Sequence, residues 1–74
     1  MSVVNRKIAS MTRHLVGVAE IAQMLGVSRQ RVDALVRKDG DFPLPEVELT
    51  AGRVWRRDDV IQWAERKGRR LLER

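Results

Sequence analysis

The chain has 74 residues and no cysteine, and its 15 lysines and arginines against 10 acidic residues give a formal net charge of +5. A chain this short folds as one small domain with a thin core, and the lack of cysteine excludes a disulfide framework and a thiolate zinc site. We expect a reducing, cytoplasmic location and no secretory signal. We also expect no membrane span, because no stretch approaches ~20 apolar residues. The basic balance favours a polyanionic partner.

Residues 1–14 show no helical or strand period and carry Arg6, Lys7, Arg13 and His14. We interpret this stretch as a basic, flexible arm. It is either a frayed terminus or a segment that reaches into a nucleic-acid groove. His14 has no partner in the sequence, so we expect it to be exposed and without a catalytic role.

Two short apolar-periodic segments follow, with a glycine between them. The first predicted helix runs from Val18 to Leu25 with Gly17 as its N-cap. Gly26 allows the positive φ of a turn, and Ser28 is placed to cap the next helix through its hydroxyl. Two helices joined by a three- or four-residue turn that contains glycine are typical of a helix-turn-helix unit.

The second helix is predicted over residues 29–38, with Val32, Leu35 and Val36 as its buried stripe. The positions that point furthest from this stripe, at about 100° per residue, are Gln30, Ala34 and Arg37. Glutamine pairs with adenine, arginine pairs with guanine, and alanine contacts the methyl group of thymine. The exposed face of this helix is therefore suited to a DNA groove.

Candidate DNA contacts on this helix are Ser28, Arg29, Gln30, Arg31, Asp33, Ala34, Arg37 and Lys38. An ordinary solvated helix face is the alternative interpretation. Asp33 fits a DNA-binding face in one of three ways: it accepts from cytosine, it pairs with Arg37 one turn later, or it repels phosphates and so sharpens selectivity.

Residues 39–41 end the second helix, and residues 42–45 form a stiff, extended connector because proline fixes its own φ and biases the preceding residue away from helix. We predict that Phe42 and Leu44 both fill the core. Val47 and Leu49 then alternate with acidic residues in a strand pattern.

A turn at residues 50–52 returns the chain into a second strand, Arg53-Val54-Trp55. We interpret this hairpin as a two-stranded wing, with Arg53 at its tip. A plain structural hairpin with solvated arginines is the alternative. The candidate DNA contacts on the wing and directly after it are Arg53, Arg56 and Arg57.

Asp58 is predicted to be the N-cap of the last helix, where Asp59 also favours the positive helix end. The apolar face of this helix consists of Val60, Ile61, Trp63 and Ala64. Gly68 interrupts the pattern, and residues 68–74 either continue the helix or fray. If they are helical, Leu71 and Leu72 are exposed and form a candidate contact with a second protomer.

These pieces, in this order and spacing, resemble a known pattern. The chain is similar to the AlpA-type and phage excisionase branch of the MerR-like winged-helix proteins over about residues 15–67. The matching motifs are Leu15-Val16, Ala19-Glu20-Ile21-Ala22, Leu25-Gly26-Val27-Ser28-Arg29, Phe42-Pro43 with Pro45, Gly52-Arg53, Trp55-Arg56, and Asp59-Val60 with Trp63.

The resemblance implies a recognition helix in the major groove, contacted through positions 28–31, and a wing that reaches flanking DNA through Arg53. Family members commonly carry a tyrosine and a basic residue where this chain has Asp33 and Ala34. The DNA sequence that the protein binds is therefore not inferred from the family. The long dimerisation helix of full MerR regulators is missing, so small-molecule sensing is not expected.

We therefore predict a mainly α fold with a small β-hairpin. Residues 15–67 are predicted to form a winged helix-turn-helix of three helices and a two-stranded wing. A basic tail or helix extension follows at residues 68–74. The predicted function is sequence-specific binding of double-stranded DNA, as an excisionase that acts with an integrase or as a small transcription regulator, with further copies side by side on the DNA. The alternative is a protein–protein interaction module. We expect no enzyme activity, cofactor, metal or membrane partner.

Overall fold

The computed structural model describes residues 14–50 and 52–72. The predicted basic arm, apart from His14, lies outside the described residues. The elements in chain order are β1 (Leu15–Val16), α1 (Val18–Leu25), α2 (Arg29–Lys38), β2 (Val47–Leu49), β3 (Gly52–Arg56) and α3 (Arg57–Arg66). No helix in this part of the chain is long and apolar enough to cross a membrane.

Among the described residues, the sheet has three antiparallel strands in the order β1-β3-β2, so the prediction of a two-stranded wing is wrong. β1 pairs with β3, with Leu15 opposite Arg56 and Val16 opposite Trp55. The Arg57 N–H continues the pairing by donating to the His14 carbonyl oxygen at 2.7 Å. A two-residue strand is too short to show an alternating pattern, and its partner lies far along the chain. Over residues 14–50 and 52–72, the fold is therefore three helices with a small three-stranded sheet.

The first helix and the turn after it follow the local signals in the sequence. The predicted bounds Val18–Leu25 are confirmed, and the Gly17 N–H donates to Glu20 Oε1 at 2.9 Å. Gly26 takes the left-handed conformation with φ of 71°. The Ser28 hydroxyl accepts from the Arg31 N–H at 3.1 Å and so caps α2. These short-range contacts fix the angle at which α2 leaves α1.

The core brings together one apolar face from each helix and the central strand. Its buried members are Val16, Ile21, Ala22, Met24, Leu25, Val32, Leu35, Phe42, Trp55, Val60, Trp63 and Ala64. The Phe42 ring meets Trp55 edge-on with centroids 5.8 Å apart and Trp63 with centroids 4.7 Å apart. This aromatic cluster joins the connector, the central strand and the last helix at one point.

Leu44 does not fill the core as predicted, because 86% of its surface is exposed. The Trp55 indole Nε1–H donates to the Pro43 carbonyl oxygen at 2.9 Å and holds the connector at that point. The two prolines on either side of Leu44 are half-buried. The leucine between them is left facing the solvent.

Asp58 is not the N-cap of the last helix. β3 runs directly into α3, so the cap is Arg56, and Asp58 and Asp59 lie in the first turn. The predicted cap fails because the pairing of Arg56 with Leu15 and the bond of the Arg57 N–H to His14 bring the chain to the helix start two residues early. The two acids still lie near the positive end of the helix, where negative charge is favoured.

The chain leaves the helical conformation after Arg66 and folds back as a tail, residues 67–72. Gly68 has φ of 68°, and the Arg69 guanidinium lies 5.3 Å from the centre of the Trp63 ring. Leu71 packs against the core, and the Leu72 N–H donates to the Met24 carbonyl oxygen at 2.7 Å. The tail therefore covers the end of α1 beside the turn at Gly26.

Replacing Phe42 with alanine should destabilise the domain by about 3–5 kcal/mol, because it empties the centre of the aromatic cluster. Replacing the neighbouring Leu44 with alanine is the matched control and should change the stability by less than about 0.5 kcal/mol. Chemical denaturation followed by circular dichroism measures both. Equal losses in the two variants would contradict the assigned burial.

Gly26→Ala should lower the stability by about 1–2 kcal/mol, because a left-handed conformation is costly for a residue with a side chain. The added Cβ would also lie 2.4 Å from Leu72 Cδ1, so the tail has to shift. Gly40→Ala is the control, because nothing lies within 4 Å of that Cβ position. If the two variants melt at the same temperature, the turn does not constrain the helix pair.

Candidate nucleic-acid interface

The exposed face of α2 forms a ridge on the surface of the molecule. Val32 and Leu35 are buried beneath it, as the helical period predicts, and Val36 packs at the edge of the core. Gln30 and Arg37 are exposed on the ridge. Ala34 is half-buried rather than fully exposed, because it lines the groove on one side of the helix.

One flank of α2 faces the hairpin formed by β2 and β3, and we call the space between them the hairpin-side groove. Its walls and floor are Val18, Asp33, Val36, Arg37, Gly52, Arg53 and Trp55. Arg29 lies close by, in an adjoining depression shared with the start of α1 and with Arg53. The structure therefore brings the arginine near the hairpin turn next to the start and middle of α2.

Arg53 has a partner within the chain. Its Nε lies 3.5 Å from Glu48 Oε2, and both side chains are more than half exposed. Glu48 and Arg53 stand directly opposite each other in the β2–β3 register, and opposite charges at such positions attract. This pair was not predicted from the sequence, because a turn at residues 50–52 would place Arg53 opposite Leu49, whereas β3 already begins at Gly52.

Arg56 and Arg57 do not join Arg53 on one surface. Arg56 lies three residues further along β3, so its side chain leaves the opposite face of the strand, about 10 Å away. Arg57 is half-buried as the first residue of α3. The arginine cluster that the sequence suggested at residues 53–57 is therefore divided by the sheet.

The other flank of α2 faces the end of α3, across a wider space of about 520 Å³ that we call the tail-side groove. It is lined by Arg31, Ala34, Leu35, Lys38, Asp39, Gly40, Asp41 and Lys67. The sequence analysis missed Lys67 because it belongs to a different element from the other basic residues. Only the packing of α3 shows that it lies beside α2.

Three charged side chains interact at the mouth of the tail-side groove. Lys67 Nζ lies 3.0 Å from Asp41 Oδ2 and 3.5 Å from Asp39 Oδ1. The Asp41 backbone N–H donates to Asp39 Oδ1 at 2.8 Å. This hydrogen bond and the Lys67 charge lower the pKa of Asp39. The hydrogen bond to Asp41, together with the two carboxylate charges, raises the pKa of Lys67.

Asp33 lies on the hairpin side of the ridge. Within residues 14–50 and 52–72, no ion pair joins Asp33 to Arg37. The predicted alternative in which Asp33 pairs with Arg37 is therefore not observed. In the same part of the chain, no three histidine, aspartate or glutamate side chains are grouped to hold a metal ion.

Comparisons of the chain with protein-family models, with curated proteins and with solved structures found no match.

Asp39→Asn should reduce the stability of the domain most clearly near neutral pH. A carboxyl whose pKa is lowered on folding stabilises the fold above its unfolded value of 3.8, and this contribution is lost as the pH falls through the lower folded pKa. The stability difference between wild type and Asp39→Asn should therefore shrink below about pH 4. Urea denaturation at several pH values measures it.

Asp33→Asn is the control, because Asp33 is exposed and has no ion pair in the described part of the chain. It should differ little from wild type at any of these pH values. A difference for Asp39→Asn that persists unchanged into acid would mean that its carboxylate charge is not what stabilises the fold.

Proposed function

We propose that this protein is a sequence-specific, double-stranded DNA-binding domain of the winged helix-turn-helix class. In this proposal α2 is the recognition helix and the three-stranded sheet is the wing, with the hairpin of β2 and β3 as the part that reaches DNA. The observation that carries the proposal is the placement of α2 as an exposed ridge with a cation-bearing groove on each flank.

The dimensions support this assignment. An α-helix with its side chains is about 10–12 Å wide, and the major groove of B-DNA is about 12 Å wide. A helix seated in that groove has a sugar-phosphate backbone on each side. A helix bound in this way needs cations on both flanks, because contacts with the phosphates position a protein on the duplex.

The residue types divide accordingly between the ridge and the flanks. Gln30 and Arg37 are the side chains on the ridge that are suited to adenine and guanine edges, and Ala34 is placed for a thymine methyl group. Arg31 and Lys38 lie on the tail-side flank, where they are placed for phosphates. Ser28 and Arg29 lie at the helix start, and the serine hydroxyl keeps a free donor while it caps α2.

The wing contact rests on Arg53. It lies in the hairpin-side groove beside α2, and its pair with Glu48 is solvent-exposed on both sides. Exposed ion pairs are worth little, so a phosphate is able to replace the glutamate. Arg56 and Arg57 are assigned no wing contact, because they lie away from this groove.

The biological role that we propose is that of an excisionase or a small transcription regulator in the cytoplasm, by similarity to AlpA-type and phage excisionase proteins. A single module of this size buries little surface on DNA, about 600–1,000 Å². Several copies on neighbouring sites, or an integrase beside them, would supply the missing affinity. Footprinting on the DNA around the coding region distinguishes the roles, since direct repeats beside an attachment core indicate excision.

A protein–protein interaction module is the second candidate. The observation that favours it is the exposure of apolar side chains on the connector and on the edge strand β2, namely Leu44 at 86%, Val47 at 40% and Leu49 at 59%. Salt dependence separates the candidates. A DNA binder with roughly four to six phosphate contacts gives a log–log slope of about −4 to −5, whereas a protein-only module shows no such slope on DNA.

Arg53→Ala should weaken binding to all DNA sequences about tenfold, because it removes a charged contact to a phosphate. It should also make the salt slope shallower by about 0.9. Gln30→Ala should instead reduce the discrimination at one or two base pairs by about 1–3 kcal/mol. Binding-site selection followed by fluorescence anisotropy measures both.

Arg56→Ala removes the same charge from the opposite face of β3 and is the matched control for Arg53→Ala. Its effect on the affinity should be clearly smaller. An unaltered sequence preference in Gln30→Ala would show that the ridge of α2 does not read bases.

A further inference from the structure

The tail-side groove holds a cation that the proposed function has not used. Lys67 is the last residue before the tail turns at Gly68, and its Nζ lies 3.5 Å from Oδ1 of Asp39, the C-cap residue of α2. Its backbone is held in place, since the Lys67 N–H donates to the Trp63 carbonyl oxygen at 3.0 Å. Arg31 and Lys38 line the same groove from α2. Three cations from two elements therefore border this flank.

The two acids that hold Lys67 differ in their surroundings. The Asp39 side chain is 20% exposed, and its Oδ1 also accepts from the Asp41 backbone. The Asp41 side chain is 69% exposed and makes the shorter contact with Lys67. Asp39 is thus fixed by its own turn, whereas the carboxylate of Asp41 is free to leave the lysine.

We propose that Lys67 is a further phosphate contact of the DNA interface. In the free protein the Asp41 carboxylate pairs with the Lys67 ammonium group, and in the complex a DNA phosphate takes the place of that carboxylate. This inference rests on the proposed function. Asp39 keeps its contact and aims the lysine across the groove. Asp41 moves into the solvent when the backbone of the duplex reaches this flank.

The exchange is favourable on electrostatic grounds. An exposed ion pair contributes little to stability, because solvent screens it and two side chains must be ordered. A lysine that contacts DNA also releases counterions condensed on the duplex. Losing the Asp41 contact therefore costs little compared with what the phosphate contact gains.

In this proposal the carboxylate partner of the lysine also affects selectivity. With Asp41 in place, the charge on this flank is partly neutralised whenever no phosphate is correctly seated. Weak, misaligned encounters with DNA then gain less from Lys67 than a fully seated complex does. Asp41 in this way lowers the affinity for non-cognate DNA.

The test is a double-mutant cycle on Asp41 and Lys67, measured by anisotropy with a short fluorescein-labelled duplex that carries the site selected by the wild-type protein. Asp41→Asn should raise the affinity roughly two- to fivefold, as expected when the competing half of an exposed ion pair is removed. Lys67→Gln should make the salt slope shallower by about 0.9. In the Lys67→Gln background, Asp41→Asn should no longer raise the affinity.

Asp58→Asn is the matched control, because Asp58 is an exposed acid in the first turn of α3 and not part of the groove. Its effect should be the same with and without Lys67. A gain from Asp41→Asn that persists in the Lys67→Gln protein would overturn the inference, since it would reflect net charge alone.

Lys67→Arg keeps the charge and should retain the wild-type salt slope, which separates loss of a contact from a defect in folding. In the wild-type protein, the ¹³C carboxyl signal of Asp41 should move when the duplex is added, while that of Asp39 stays. An unmoved Asp41 signal in a saturated complex overturns the exchange.

The two proposals fail in different ways. If the wild-type chain shows no salt-dependent DNA binding, the proposed function is wrong and this inference falls with it. If the wild type binds DNA and Lys67→Gln has the same salt slope, the inference alone is wrong.

Discussion

The contact of the Phe42 ring with both tryptophans is the constraint on which the rest of the molecule depends. Phe42 comes from the connector after α2, Trp55 from the central strand and Trp63 from α3, and the three rings meet edge to face. Aromatic pairs of this geometry contribute beyond the area that they bury. In a domain with a thin core, they fix how the hairpin and the last helix sit against the helix pair. The grooves on either side of α2 exist because of this arrangement.

The sequence predicted those parts of the fold whose causes are local. The bounds of α1, the left-handed Gly26 and the Ser28 cap each depend on residues within one helical turn of one another. The errors have distant causes. β1 forms because Leu15 and Val16 pair with residues at the far end of β3, and the same pairing moves the start of α3 ahead of Asp58. Leu44 is exposed because the Trp55 indole holds the connector at Pro43, a contact that no periodic pattern contains.

The candidate interface also has features with local causes, which the sequence predicted, and features with distant causes, which it did not. The exposure of Gln30 and Arg37 follows from the helical period of a single element, and the sequence was sufficient to find it. The ion partners of the flanking cations were not found, because each requires two elements to meet. The Arg53–Glu48 pair needs the hairpin register, and the Lys67–Asp41 pair needs the end of α3 to reach the end of α2. In both places an exposed acid of the chain itself faces the cation, so the bare count of basic residues overstates the positive field of this surface.

The hydrogen bond from the Leu72 N–H to the Met24 carbonyl oxygen joins the last described residue to the first helix. Contacts between residues so far apart in sequence form late, because the entropy of closing the intervening loop opposes them until other contacts have formed. During synthesis, the Met24 carbonyl oxygen near the end of α1 therefore gains this partner only after residue 72 has emerged from the ribosome. The helix pair at the start of the described chain is thus completed by a segment that follows all the other described elements.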